Sequence, residues 1–175
     1  VVLSVGWIAK TLKRMDYTVN EIASMPHPRP YLVLLGAIDD QSPPIFKLAE
    51  EKLGAGNFAI RSVPPDEVNR YYESADVFVL SSLQEGFGRV YIEALISGLP
   101  VIAHDGPVTR FVLGDEGDFA DLSLPGGLSA ALIRRLQKPS GPTDTAARRE
   151  SVRERFSWEK LAPAYAEMFR AAERG

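Results

Sequence analysis

Ser81–Ala103 reads SSLQEGFGRVYIEALISGLPVIA. It opens where an apolar run, Asp76–Leu80, ends. It then turns through Gly86 and Gly88 and enters a helix predicted over Gly88–Ser97, which Gly98 and Pro100 stop. A second apolar run, Leu99–Ala103, follows at once. A strand, glycine turn, helix and strand in that order form a βαβ unit, the repeating piece of a parallel sheet. Val90, Tyr91, Ile92, Ala94, Leu95 and Ile96 leave the helix apolar nearly all round, which predicts a buried helix. Glu93, the one charged residue from Val90 to Ala103, then requires a partner, because an unpaired carboxylate inside a protein is costly.

The glycine turn offers free backbone N–H groups, and the helix dipole favours an anion in front of them. A phosphate there places an attached ribose beside the first helical turns, where Glu93 can accept hydrogen bonds from the diol. Glu85, just ahead of the helix, faces whatever lies on the far side of the phosphate. A plainer reading stands beside this one: Glu93 meets a buried arginine or backbone N–H groups, and the glycines only make a turn.

Working outward, Val1–Val5, Tyr31–Leu35, Asp76–Leu80 and Leu99–Ala103 are apolar without polar alternation, as expected of strands covered on both faces; Phe58–Ile60 adds a short strand. Helical stretches lie between them at Tyr17–Met25, Pro44–Leu53 and Asp66–Ser74, the last with Asp66 as its N-cap. After Gly126 the chain reads as all helix: Leu128–Gln137, Thr143–Arg155 and Trp158–Ala172, with KPSGP at Lys138–Pro142 a turn. The expected fold class is α/β, a Rossmann-like doubly wound parallel sheet with helices on both faces, occupying 1–175 as one domain. Ligands of such sheets bind beyond the C-terminal ends of the strands, here Gly6–Trp7, Gly36–Ala37, Ser81–Glu85 and His104–Gly106.

Composition narrows the function. The 175 residues carry a net charge of −3 and the pI is about 5.5, so no general affinity for nucleic acid is expected. The absence of cysteine removes disulfides and thiolate metal sites and fits a reducing compartment, and two histidines are too few for a multi-histidine metal site. No apolar run approaches the roughly 20 residues that span a bilayer. The expected location is the cytoplasm, with peripheral membrane attachment left open. The chain opens inside a core strand, VVLSVG, so a longer polypeptide with a further N-terminal domain is expected.

EGFGRVYIEALISGLPVIA is similar to the donor-site signature of family-4 glycosyltransferases, which have the GT-B architecture. In that signature two glutamates are separated by seven intervening residues, followed by Ala, a small residue and Gly-x-Pro-Val; Glu85, Glu93, Ala94, Gly98, Pro100 and Val101 fall in step. VVLSVGWIAKTLKRMDYTVNEI resembles the family's opening, and Lys13 falls at its diphosphate-binding lysine. Trp7 stands where the family has an arginine, so Lys10 or Arg14 is expected to supply the second charge. YYESADVFVL (Tyr71–Leu80) and FSW (Phe156–Trp158) are also similar to family stretches, Phe156 and Trp158 being read as packing anchors. In the loop after Ala103, Thr109–Arg110 stands where many relatives have a glutamate, so sugar identity does not carry over.

The resemblance implies the donor-binding C-terminal half of a retaining GT-B hexosyltransferase of glycan biosynthesis, with its last helices at 143–172 and the acceptor-binding N-terminal domain outside this chain. It implies Glu85 as the catalytic glutamate beside the sugar. Lys13, Lys10, Arg14, Gly86, Phe87, Gly88 and Arg89 would hold the diphosphate, Glu93 the ribose, and Ser62 and Val63 the base. It implies no metal and no cofactor, a UDP-, GDP- or ADP-linked sugar as donor, a glycan or lipid acceptor, and little or no transfer by this half alone. Two other readings remain. A receiver-like regulatory domain would use Asp39–Asp40 or Asp105 as phospho-acceptor, and a GT-B sugar-nucleotide epimerase would keep the fold but change the reaction. His104 and Asp105 sit at a strand end where active-site groups lie, although Asp105 also reads as a cap ahead of Gly106–Pro107.

Overall fold

The computed structural model describes residues 1–174. Six strands, β1 (Val2–Val5), β2 (Leu32–Leu35), β3 (Phe58–Arg61), β4 (Val77–Leu80), β5 (Val101–His104) and β6 (Gly117–Ala120), form one sheet in the order β3-β2-β1-β4-β5-β6. Every pairing is parallel. The helices are α1 (Met15–Ser24), α2 (Pro43–Leu53), α3 (Val68–Ser74), α4 (Arg89–Ser97), α5 (Pro107–Leu113), α6 (Gly127–Leu136), α7 (Pro142–Phe156) and α8 (Trp158–Ala172). This is the expected Rossmann-like α/β class. The chain winds outward from β1 to β3, then returns to β4 on the other side of β1.

Side chains of successive strand residues point to opposite faces, and the strands use that alternation to feed two cores. Val2, Leu32, Leu34, Val77, Val79 and Ile102 pack under α1, α2 and α6. Leu3, Val33, Leu35, Phe78, Leu80, Val101 and Ala103 pack under Tyr72 of α3, Tyr91, Ala94 and Leu95 of α4, Val112 and Leu113 of α5, and Val152 of α7.

Several expectations are corrected. α4 is not buried all round: it buries Tyr91, Ala94 and Leu95, while Ile96 is 40% exposed and Glu93 faces solvent. A nine-residue helix lying on one sheet face has a single stripe to bury, whatever its composition. The buried carboxylate is instead Glu21 of α1, whose two oxygens accept the backbone N–H groups of Gly126 and Ser129 at 2.8 and 2.9 Å. It thereby satisfies N–H groups that the start of α6 leaves without helical partners. Asp66 does not cap α3, which begins at Val68 after Glu67. Strand β5 starts at Val101, with Leu99 and Pro100 in the preceding turn. β6 and α5 were not anticipated at all.

Among the described residues no helix is long and apolar enough to cross a membrane. α8 buries none of its side chains. Its Trp158, Tyr165, Met168 and Phe169 stand exposed along one helical stripe.

Candidate functional site at the β1–β4 switch point

β1 and β4 are neighbours whose chains leave in opposite directions, so the loops at their C-terminal ends diverge and leave a crevice between them. The β1 loop runs from Gly6 to Arg14. The Lys13 stem lies across Gly6, close enough that a Cβ there would meet Lys13 Cγ at 3.1 Å. Leu12 and Arg14 hold left-handed backbone, at φ 57° and 49°, a conformation that costs a side-chain-bearing residue about 1 kcal/mol or more. Arg14 helps to hold it. Its guanidinium donates to the carbonyls of Leu122 (2.6 Å) and Ser81 (3.3 Å) and lies over the Tyr17 ring.

From the other side comes the β4 loop, Ser81–Gly88. Lys13 Nζ donates to Glu85 Oε1 at 2.5 Å, with the two side chains only 24% and 10% exposed. The structure therefore joins two of the residues singled out from sequence, across 72 positions. Beyond Glu85 the bend is open: Gly86 and Phe87 are exposed, and among the described residues no protein acceptor bonds the N–H groups of Gly86, Phe87 or Gly88. Phe87 packs edge-on to Phe156, 5.8 Å between ring centres. Gly88 caps α4 at φ 79°, where a Cβ would strike the Tyr91 ring at 2.5 Å. Arg89 opens the helix and is exposed.

Glu93, one turn further on, accepts a hydrogen bond from Tyr72 Oη at 2.9 Å. Among the described residues no cation pairs with it. Burial, and then the Glu93 charge and hydrogen bond, push the Tyr72 hydroxyl well above the ordinary tyrosine range. Tyr91 is displaced the same way, by burial and then by the charge of Glu85, and its hydroxyl has no hydrogen-bond partner.

The other sequence candidates lie further out. Lys10 is exposed. Ser62, exposed, and Val63, half-buried, follow β3 on the same edge of the sheet, two strands outboard of β1. Asp105 is not the cap of α5. Gly106 holds that position, with the Thr109 hydroxyl accepting the Gly106 N–H, while Asp105 takes a two-pronged ion pair from Arg110 at 2.5 and 2.7 Å. Those bonds hold the Asp105 carboxyl below the usual carboxylate range. Between the β4 and β5 loops lies a cavity of about 440 Å³ lined by Leu83, Gln84, Glu85, His104 and the Gly106–Thr109 turn. Tyr72, Gln84 and the His104 ring were not assigned roles from sequence. Only the position of His104 at a strand end was a signal.

The switch point of an open α/β sheet is where such sheets bind ligands, and here it presents a cation, a carboxylate and a bare amide-lined bend. The family model for glycosyl transferases group 1 matches residues 1–139, and the chain belongs to that family. It is 32% identical over 129 residues to the O-antigen chain mannosyltransferase B of Escherichia coli, covering 73% of this chain and 34% of that protein. Its fold matches sucrose-phosphate synthase from Thermosynechococcus elongatus with a TM-score of 0.85 at 26% identity, over 99% of this chain and 45% of that one. It also matches Anabaena HepE, solved in complex with UDP and glucose, with a TM-score of 0.82 at 18% identity, over 97% and 48%. The chain thus spans about a third of the length of the curated relatives it matches. Family membership sets aside the receiver-like reading.

Proposed function

We propose that this chain is the donor-binding, C-terminal half of a retaining, family-4 GT-B hexosyltransferase, holding a nucleotide-diphosphate sugar at the β1–β4 crevice. The observation that carries the reading is the meeting of Lys13 and Glu85 in front of the uncovered Gly86–Gly88 bend. A diphosphate brings more negative charge than one carboxylate, so it draws Lys13 away from Glu85. The amides of Gly86, Phe87 and Gly88, the start of α4 and Arg89 take the remaining phosphate oxygens. Lys10 and Arg14 lie on the same loop; Arg14 acts chiefly by bracing it, given its carbonyl bonds. Glu93, held by Tyr72 and free of cations, accepts the ribose hydroxyls, and Ser62–Val63 line the base.

Chemically, the site acts on the leaving group. As the bond from anomeric carbon to phosphate breaks, charge builds on the departing diphosphate, where Lys13 and the amides already point. Glu85, released from Lys13, faces the sugar and stabilises positive charge developing on its ring. No metal is required by this scheme. The UDP and glucose bound by the Anabaena relative support a nucleotide-sugar donor, with the donor here UDP-, GDP- or ADP-linked. The acceptor is a glycan or lipid, met mainly by an N-terminal domain of the same polypeptide in the cytoplasm or at a membrane surface. The relatives' greater length and the uncovered stripe of α8 support such a partner half.

The test is a thermal-shift screen of the chain with UDP, GDP, ADP and their hexose conjugates. A ligand that binds the native state at 100 times its Kd stabilises it by about 2.7 kcal/mol, so one nucleotide series is expected to raise Tm by several degrees. No shift with any of them refutes the reading. Product analysis on the intact enzyme separates transfer from epimerisation.

A further inference from the structure

The cavity between the β4 and β5 loops has few polar side chains free to meet a ligand. Thr109 lines it, yet its hydroxyl is committed: it accepts the Gly106 N–H and donates within the same turn, to the His104 carbonyl (2.6 Å) or the Gly106 carbonyl (2.9 Å). Glu85 has one oxygen on Lys13. Leu83, Pro107 and Val108 supply apolar wall. Of the side chains, what remains is the Gln84 amide, the second Glu85 oxygen and the His104 ring.

That ring is fixed in both position and tautomer. The Leu122 N–H donates to His104 Nδ1 at 3.1 Å. Nδ1 must therefore present a lone pair, and the neutral ring carries its proton on Nε2. The nearby Asp121 does not compete: its Oδ1 lies 3.8 Å from Nδ1 and already accepts the Ser123 N–H and hydroxyl. The backbone of His104 is pinned by Thr109 through its carbonyl. Among the described residues Nε2 has no protein partner. A held donor and a carboxylate acceptor that line one cavity suit two hydroxyls of one sugar ring.

We infer that His104 is a specificity-determining residue that donates from Nε2 to a hydroxyl of the donor sugar, with Glu85 accepting from a neighbouring one. This rests on the donor-site reading above, and the experiment separates the two. Asparagine places its amide oxygen near the position of Nδ1, keeping an acceptor for Leu122 while removing the Nε2 donor. Glutamine places an amide N–H near Nε2 and gives up the acceptor. Affinities for free UDP, GDP and ADP and for their glucose and mannose conjugates are measured by calorimetry on wild type, His104→Asn and His104→Gln.

The expected result is that His104→Asn binds the free nucleoside diphosphate like wild type but loses roughly tenfold in affinity for the conjugate. His104→Gln recovers part of that loss. If His104→Asn binds both ligands like wild type, or weakens both equally, the sugar contact is overturned while the donor site stands. If wild type binds none of the nine ligands, the three free diphosphates and their six conjugates, both readings fall.

Discussion

Lys13 and Glu85 neutralise each other across the crevice, a pair that the proposed diphosphate would open. Beneath them Tyr91 is the residue with the sharpest consequence. Its ring fills the core under Gly88, yet its hydroxyl is buried with no partner, and an unmet hydroxyl is worth about 1–3 kcal/mol of lost stability. Tyr91→Phe is therefore expected to leave the protein as stable or to stabilise it by about 1 kcal/mol, read from urea midpoints at pH 7. The pH dependence follows from the raised ionisation of Tyr72 and Tyr91. A group whose folded-state value lies above its unfolded one contributes fully below the unfolded value, about pH 10 for tyrosine, and that contribution fades as pH rises toward the folded value. Urea midpoints are thus expected to fall steeply above about pH 10, and less steeply in Tyr91→Phe; equal slopes would contradict the buried hydroxyl. At this scale Lys13, Glu85 and Glu93 were legible as candidate positions only, because spacing and motif resemblance name positions. The exposure of Glu93 was not, since counting apolar residues on a helix does not say which stripe meets the sheet. Nor was Tyr72, which lies 21 residues away and becomes its partner only through packing.

Among the elements, the bend into α4 separates fold from function. Gly88 needs its left-handed backbone and the missing Cβ, whereas Gly86 has ordinary φ and open space around it. Gly88→Ala is expected to lower unfolding free energy by about 2 kcal/mol or more, from backbone strain plus the clash with Tyr91. Gly86→Ala should change stability by less than about 0.5 kcal/mol, yet weaken nucleotide binding, because in the proposed site the bend holds phosphate by its amides. Denaturation and calorimetry on the two variants check this; equal stability losses would contradict it. The strongly apolar strands were readable because burial on both faces leaves them without polar alternation. β6 was not: its GDFA sequence is half-buried throughout at the sheet edge and pairs with β5 alone. The seven-residue α5, enclosed by Gly106 and Gly114, is likewise too short to show a period.

For the whole molecule, the two cores are complete without α8. Phe169→Glu, on its exposed stripe, is expected to change unfolding free energy by less than about 0.5 kcal/mol. Val152→Ala on the buried side of α7 should cost about 1.5–3 kcal/mol. A large loss from Phe169→Glu would show that the stripe is already covered within this chain. The central claim, that the crevice grips a nucleoside diphosphate through Lys13 and Glu93, is tested most directly by calorimetry. The titrant is the nucleoside diphosphate that most raises Tm, and the proteins are wild type, Lys13→Ala, Glu93→Ala and Lys47→Ala. Lys47 lies exposed on α2 beside Glu51. Lys13→Ala and Glu93→Ala are each predicted to lose roughly tenfold or more in affinity, as expected for a hydrogen bond to a charged group, with Lys47→Ala unchanged. All three variants binding like wild type would contradict the account.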